Sequence, residues 1–153
     1  MNTLFIIARI AFVLVFILSG AQKLMDISGT AAMIEPKVTI PEMIAPYAAQ
    51  LETAAKMKMP SILAIAAGVV EIGAALMIAF GFGVRFAAVV LILFTIATTY
   101  YFHAFWNMEG APRTDAMVNA LKNLSLIGGL LLLFVLGPWR PTPVGPYDEP
   151  TRL

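Results

Sequence analysis

Two sets of polar residues sit inside otherwise apolar stretches of this chain, and each could carry chemistry. The first is Glu71, within the run Ser61 to Phe82, and Arg9, within the run Leu4 to Leu24. An isolated carboxylate in apolar surroundings either takes up a proton or demands a cation. The second set is Lys23, His103, Trp106, Lys122 and Asn123, which lie toward the ends of three separate apolar runs. An imidazole can exchange protons near neutral pH, and an ammonium can stabilise developing negative charge. Other chemistries are excluded by composition. One histidine and no cysteine cannot supply a bis-histidine haem, a zinc site or an iron–sulfur site. No phosphate-binding Walker loop is present, and Gly81-Phe82-Gly83 lacks the third glycine and the preceding strand of a dinucleotide fingerprint. The sequence thus contains no intrinsic catalytic motif and no intrinsic cofactor site.

What must position these residues follows from composition. Of the 153 residues, 60% are hydrophobic and 12% charged, and the mean hydropathy is +0.87. A water-soluble domain of this size could not bury so much apolar surface, and a disordered chain has the opposite composition. The net charge of +1 offers no basic face for nucleic acid. The solvent that remains is lipid.

Four runs have the ~20 apolar residues that a spanning helix needs: Leu4 to Leu24, Ser61 to Phe82, Val84 to Trp106 and Val118 to Leu136. The first lacks the basic segment of a cleavable signal peptide, so it reads as a span. Four spans put both ends of the chain on one side. The glycine-rich turn 81–84 lies on that side, here called the turn end; the connections 25–60 and 107–117 lie at the loop end. Lys and Arg are spread too evenly to fix the orientation by the positive-inside rule. In the first connection, Pro41 suits a helix start, and Ile44, Tyr47, Leu51, Ala54 and Ala55 recur at helical spacing. This predicts an amphipathic helix on the membrane surface or capping the bundle, with an irregular loop as the alternative. After residue 140 the spacing of Pro141, Pro143, Pro146 and Pro150 forbids a helix. Residues 1–140 therefore form the membrane domain and 141–153 an exposed tail. The fold class is all-α, a four-helix transmembrane bundle with an interfacial segment between spans one and two.

Within that frame Glu71 lies about 15 Å along its helix, near the midplane. Arg9, coming from the turn end, is the partner expected for it, in a buried ion pair; the alternative is a proton-carrying carboxylate. The second set shares one depth at the loop end. It is either an interfacial belt, which Lys, His and Trp favour, or a half-buried pocket for an anionic or quinone-like ligand. A pocket requires the spans to converge, and the small pairs Ser19-Gly20 and Gly128-Gly129 predict close approach of spans one and four.

The ordered set Arg9, Ser19-Gly20 with Lys23, Glu71-Ile72-Gly73, Gly83-Val84-Arg85, His103-Ala104-Phe105-Trp106, Leu121-Lys122-Asn123-Leu124, Gly128-Gly129 and Gly137-Pro138 resembles the DoxX family of small bacterial inner-membrane proteins. The likeness covers about residues 4–140. Two features depart from the family pattern: a longer first connection, and Val84 where many members have Thr. The resemblance implies a multi-pass protein of the bacterial inner membrane, linked to redox physiology. It suggests an accessory or anchor subunit of a quinone-linked oxidoreductase, with a bound quinone as the cofactor and the bilayer, a membrane-associated oxidoreductase or further copies of the chain as partners. A stand-alone binder or carrier of a small amphiphile and a ligand-free scaffold are the competing classes. The family supplies no established catalytic residues to carry over.

Overall fold

The computed structural model describes residues 3–137, so the Pro-rich tail falls outside the described residues. The described residues form six α-helices: α1 Thr3–Met25, α2 Ile27–Ile34, α3 Ala45–Ala55, α4 Met59–Phe80, α5 Val84–Phe102 and α6 Gly110–Leu136. Four of them, α1, α4, α5 and α6, are long and apolar enough to cross a membrane, as the hydropathy pattern predicts. Their contacts run antiparallel in sequence. Arg9 reaches Ala79 and Gly20 faces Gly68 across the α1–α4 contact, while Arg85 reaches Phe134 and Thr99 reaches Asn123 across α5–α6. The packing order is α1, α4, α5, α6, with α1 lying along α4 and α5 along α6.

The turn-end half is a tight core. Val13 and Phe16 of α1 meet Ala74, Ala75 and Ile78 of α4, Val84, Ala87, Ala88 and Leu91 of α5, and Leu130 and Leu133 of α6. Four of these are alanines, which let the helices approach closely where lipid gives no hydrophobic drive for association. Two arginines close this end. The α4–α5 turn is a Schellman motif, with Phe82 N donating to Met77 O and Gly81 N to Ile78 O. Gly81 has φ +76°, which glycine adopts without strain. The Arg9 guanidinium lies against Gly81 and donates to Ala79 O at 2.9 Å. Arg85 plays the same part for α6, donating from Nε to Phe134 O at 3.2 Å beside Gly137. Each cation thus meets the carbonyl-rich, negative end of a helix.

The expected Arg9–Glu71 pair is therefore absent. Ala79 is eight residues beyond Glu71, so Arg9 stands about 12 Å too far toward the turn end. Its burial, at 5% exposed, serves the α4 terminus. Arg9→Ala is expected to cost about 1.5–3 kcal/mol, the range for a hydrogen bond to a charged group. Reversible unfolding in mixed detergent micelles checks it; a variant as stable as the parent would contradict the clamp.

In the first connection α3 confirms a helix, and it packs on the start of α4. Only Ala48 is buried, while Ile44, Tyr47 and Leu51 are exposed. The apolar stripe thus faces away from the bundle, as an interfacial helix requires. A second helix here, α2, was not expected. Asp26 caps it by accepting from Gly29 N at 2.8 Å, and its Thr30, Ala31 and Ile34 are buried.

Candidate functional site: a cavity in the loop-end half

Below the alanine-rich core the four spans separate and line a half-open cavity of about 590 Å³. This lies within the roughly 300–1,000 Å³ usual for small-molecule sites. Its walls are Val15, Phe16, Ser19, Gln22 and Lys23 of α1, Leu63, Ala67 and Glu71 of α4, and Phe94, Thr95, Thr98, Tyr101 and Phe102 of α5, with His103 at that helix's end. Asn123 and Leu126 of α6 complete them. Asp26, Thr30, Met33 and Ile34 close the loop end, so α2, rather than the amphipathic α3, covers the mouth.

At the floor is a three-residue polar cluster. Lys23 Nζ donates to Glu71 Oε2 at 2.6 Å and to Ser19 Oγ at 2.6 Å. Ser19 Oγ in turn donates to Glu71 Oε1 at 3.1 Å. The cation that satisfies Glu71 is thus Lys23. The register is set where α1 and α4 cross at Gly20 and Gly68: a Cβ on Gly20 would lie 2.8 Å from Gly68 O, and a Cβ on Gly68 would lie 2.9 Å from Gly20 O. The residues that follow Gly20 and Gly68 run in opposite directions in these antiparallel helices. It is therefore Glu71 that stands beside Gly20, its Cβ 3.1 Å from where a Cβ on Gly20 would lie. Lys23, one turn nearer the loop end, leans back along α1 past Ser19 to reach it. Ser19, singled out in the sequence for its small size, supplies the third polar group. The Phe94 ring lies 6.0 Å from Lys23 Nζ on the opposite wall, at the edge of cation–π range.

The upper wall is held by hydrogen bonds within α5. Thr95 and Thr99 donate to the carbonyls of Leu91 and Thr95, each at 2.7 Å, and Thr98 to Thr95 O at 3.0 Å. Each hydroxyl proton is thereby spent on the helix, leaving acceptor lone pairs. Asn123 Nδ2 donates to Thr99 Oγ1 at 2.8 Å, which fixes the amide at the α5–α6 contact.

Of the five residues expected to share a pocket, Lys23, His103 and Asn123 do so. Lys122 and Trp106 do not. Lys122 is exposed, because neighbouring residues on a helix point about 100° apart and Asn123 takes the inward position. Trp106 sits in a short 3₁₀ turn, Phe105–Asn107, and is 51% exposed. It joins Tyr100 and Phe105 in an outward aromatic cluster, with ring centroids at 6.2 and 5.2 Å, beside a shallow depression near Lys37. The belt reading therefore applies to Trp106 and the pocket geometry to the other three. The glycine expectation is corrected as well. Gly20 packs on Gly68 of α4, Gly129 receives the Phe12 ring, and Gly128 faces open space.

The charge balance also differs from expectation. Lys23 is neutralised by Glu71, Asp26 adds a second carboxylate, and Lys122 is outside. An anion would meet no spare cation on this floor. The arrangement instead suits a neutral head group that can donate a hydrogen bond to Glu71 and accept one from a neighbouring side chain. Gln22, Asp26, Thr30, Thr98 and Tyr101 are further lining residues that the sequence did not single out.

A four-span helical bundle with a largely apolar cavity, polar at its floor, in its loop-end half defines a small multi-pass membrane protein. The chain belongs to the DoxX family, whose sequence profile matches residues 4–104. It is 38% identical over 135 residues to the inner membrane protein YphA of Escherichia coli (strain K12), covering 88% of this chain and 84% of that one. It is also 30% identical over 133 residues to the inner membrane protein YqjF of the same strain, covering 87% and 83%. No solved structure matches. The chain is accordingly an inner-membrane protein, and the family match spans α1 to the end of α5 but not α6.

Proposed function

We propose that the cavity binds the oxygenated head of a neutral, tailed amphiphile of the quinone or quinol class, and that the chain serves as a membrane subunit of a quinone-linked redox system. The observation that carries this is the Lys23–Ser19–Glu71 cluster on the floor of an otherwise largely apolar cavity. A buried ion pair is weak as a stabiliser, and well-packed apolar residues often replace one at no loss. The alanine-rich core at the turn end holds the bundle without it. Its worth lies in the fixed acceptor it offers: a quinol hydroxyl can donate to the Glu71 carboxylate, while a quinone carbonyl finds donors in the Tyr101 hydroxyl, the His103 ring and the Gln22 amide. Electrons would come from, or go to, an oxidoreductase beside it.

A second reading, a stand-alone binder or carrier, is supported by the fact that all four spans of one copy contribute to the cavity lining. Affinity purification from native membranes separates the two. The subunit reading expects an oxidoreductase in stoichiometric amount, retained at low salt and absent from mock purifications. Recovery of the chain with amphiphile but no such enzyme would replace it by the carrier reading.

A further inference from the structure

We infer that the seam between α1 and α6 is a lateral portal, through which a tailed ligand reaches the cavity from the bilayer and in which its hydrocarbon tail remains. The inference rests on the binding reading proposed above and names the path and part of the ligand. Three observations carry it. First, the extended helix contacts run α1–α4, α4–α5 and α5–α6; α1 and α6 do not pack along their length. They touch where the Phe12 ring is seated on Gly129, in the turn-end half. Second, the register of antiparallel helices sets Val15 and Leu126 next along the seam toward the loop end, and both line the cavity. Val15 is 45% exposed, and its helix neighbours Leu14 and Leu18 are 46% and 61% exposed, so the cavity wall at Val15 adjoins the lipid-facing side of α1. Third, the alternative way in is covered. Helix α2 lies over the loop end, capped by Asp26, with Thr30 and Ile34 buried and its length packed on α4.

The size of the cavity agrees. About 590 Å³ holds a substituted ring but not a ring with a long isoprenoid or acyl tail. A tailed molecule bound head-first at Lys23–Glu71 must therefore leave its tail in the seam, against Val15 and Leu126, in contact with lipid chains. Phe12 on Gly129 forms the sill that stops the head from sliding toward the turn end.

The absence of native cysteine permits a direct test. In the full chain in lipid nanodiscs, Val15→Cys with Leu126→Cys is bridged by a bis-maleimide whose linker contains a reducible disulfide. Two probes are used: a decyl-tailed benzoquinol and its tail-less parent. Bridging is expected to slow association of the decyl probe by at least about tenfold, and to slow the parent less, because the parent needs no room in the seam for a tail; cleaving the linker restores both rates. Val15→Trp, which plugs the seam without a cross-link, is expected to shift the decyl probe in the same direction. Equal decyl association before and after bridging overturns the portal while leaving the binding reading intact. Failure of both probes to bind the unbridged chain overturns the binding reading and the portal with it.

Discussion

Lys23→Ala lowers the stability of the bundle by about 3–5 kcal/mol, the range for removing one partner of a buried pair, and Glu71→Ala lowers it by less. The asymmetry follows from where each charge is left. The Glu71 side chain is 4% exposed and the Lys23 side chain 24%. Without Lys23 the carboxylate stays in the helix interface with only the Ser19 hydroxyl to solvate it. Without Glu71 the ammonium can turn toward the cavity and the loop end, where water and the Asp26 carboxylate are nearer. Lys23→Leu combined with Glu71→Leu removes both charges and recovers much of the loss. Unfolding curves of the four variants in mixed micelles form a double-mutant cycle. A Lys23→Ala variant as stable as the parent would contradict the pairing, and a double variant no better than the worse single one would contradict the desolvation argument.

Gly20→Val or Gly68→Val forces the α1–α4 crossing apart and costs at least the 1–3 kcal/mol, roughly, of an overpacked site. The atoms in the way include backbone carbonyls on the facing helix, at 2.8 and 2.9 Å from the added Cβ, which cannot rotate aside, together with the side chains of Ile72 and Leu24. Moving the helices also separates Lys23 from Glu71, so the two effects compound. The chain carries its own control. Gly73 and Gly128 also lie within spanning helices, but a Cβ at either meets nothing within 4 Å. Alanine there is expected to be neutral or stabilising by up to about 1 kcal/mol, the helix-propensity difference. Thermal unfolding of the four alanine variants checks the contrast, and a uniform response at all four positions would remove the crossing as the element that sets register.

The spans were legible because lipid imposes length and apolarity on any helix that crosses it, and the α4–α5 turn because glycine there has a backbone reason. Register was not legible in the same way. Arg9 was matched to Glu71 on depth alone, and depth does not say which turn of one helix faces which turn of another. A signal was nevertheless present: Lys23 lies four residues after Ser19, and a long helical side chain leans back toward the helix N-terminus, which carries the Lys23 ammonium from the loop end toward the depth of Glu71.

Rotation about the helix axis explains the other differences. Lys122 and Asn123 are adjacent, and only one can face inward. The inward stripe of α6 runs through Ala116, Ala120, Asn123, Leu126, Leu130 and Leu133, at spacings of three and four. Following that stripe in the sequence would have placed Lys122 on the surface. Trp106 was assigned to the pocket by continuing α5 to its position, but the helix stops at Phe102 and the following 3₁₀ turn points the ring outward. Helix α2 was missed because eight residues give too short a pattern for periodicity. Its visible mark was Asp26, a residue type that favours the N-cap.

In the proposed function the Lys23–Ser19–Glu71 floor holds the head of a neutral amphiphile. The most direct test of this is the amount of quinone-class lipid retained per chain after purification from native membranes into nanodiscs, measured by solvent extraction and mass spectrometry. The parent chain is expected to retain close to one equivalent, and the correctly folded Lys23→Leu, Glu71→Leu double variant less than about a tenth of that, a loss of about 1.4 kcal/mol or more in binding. Equal retention by both chains, or none by the parent, would contradict the account.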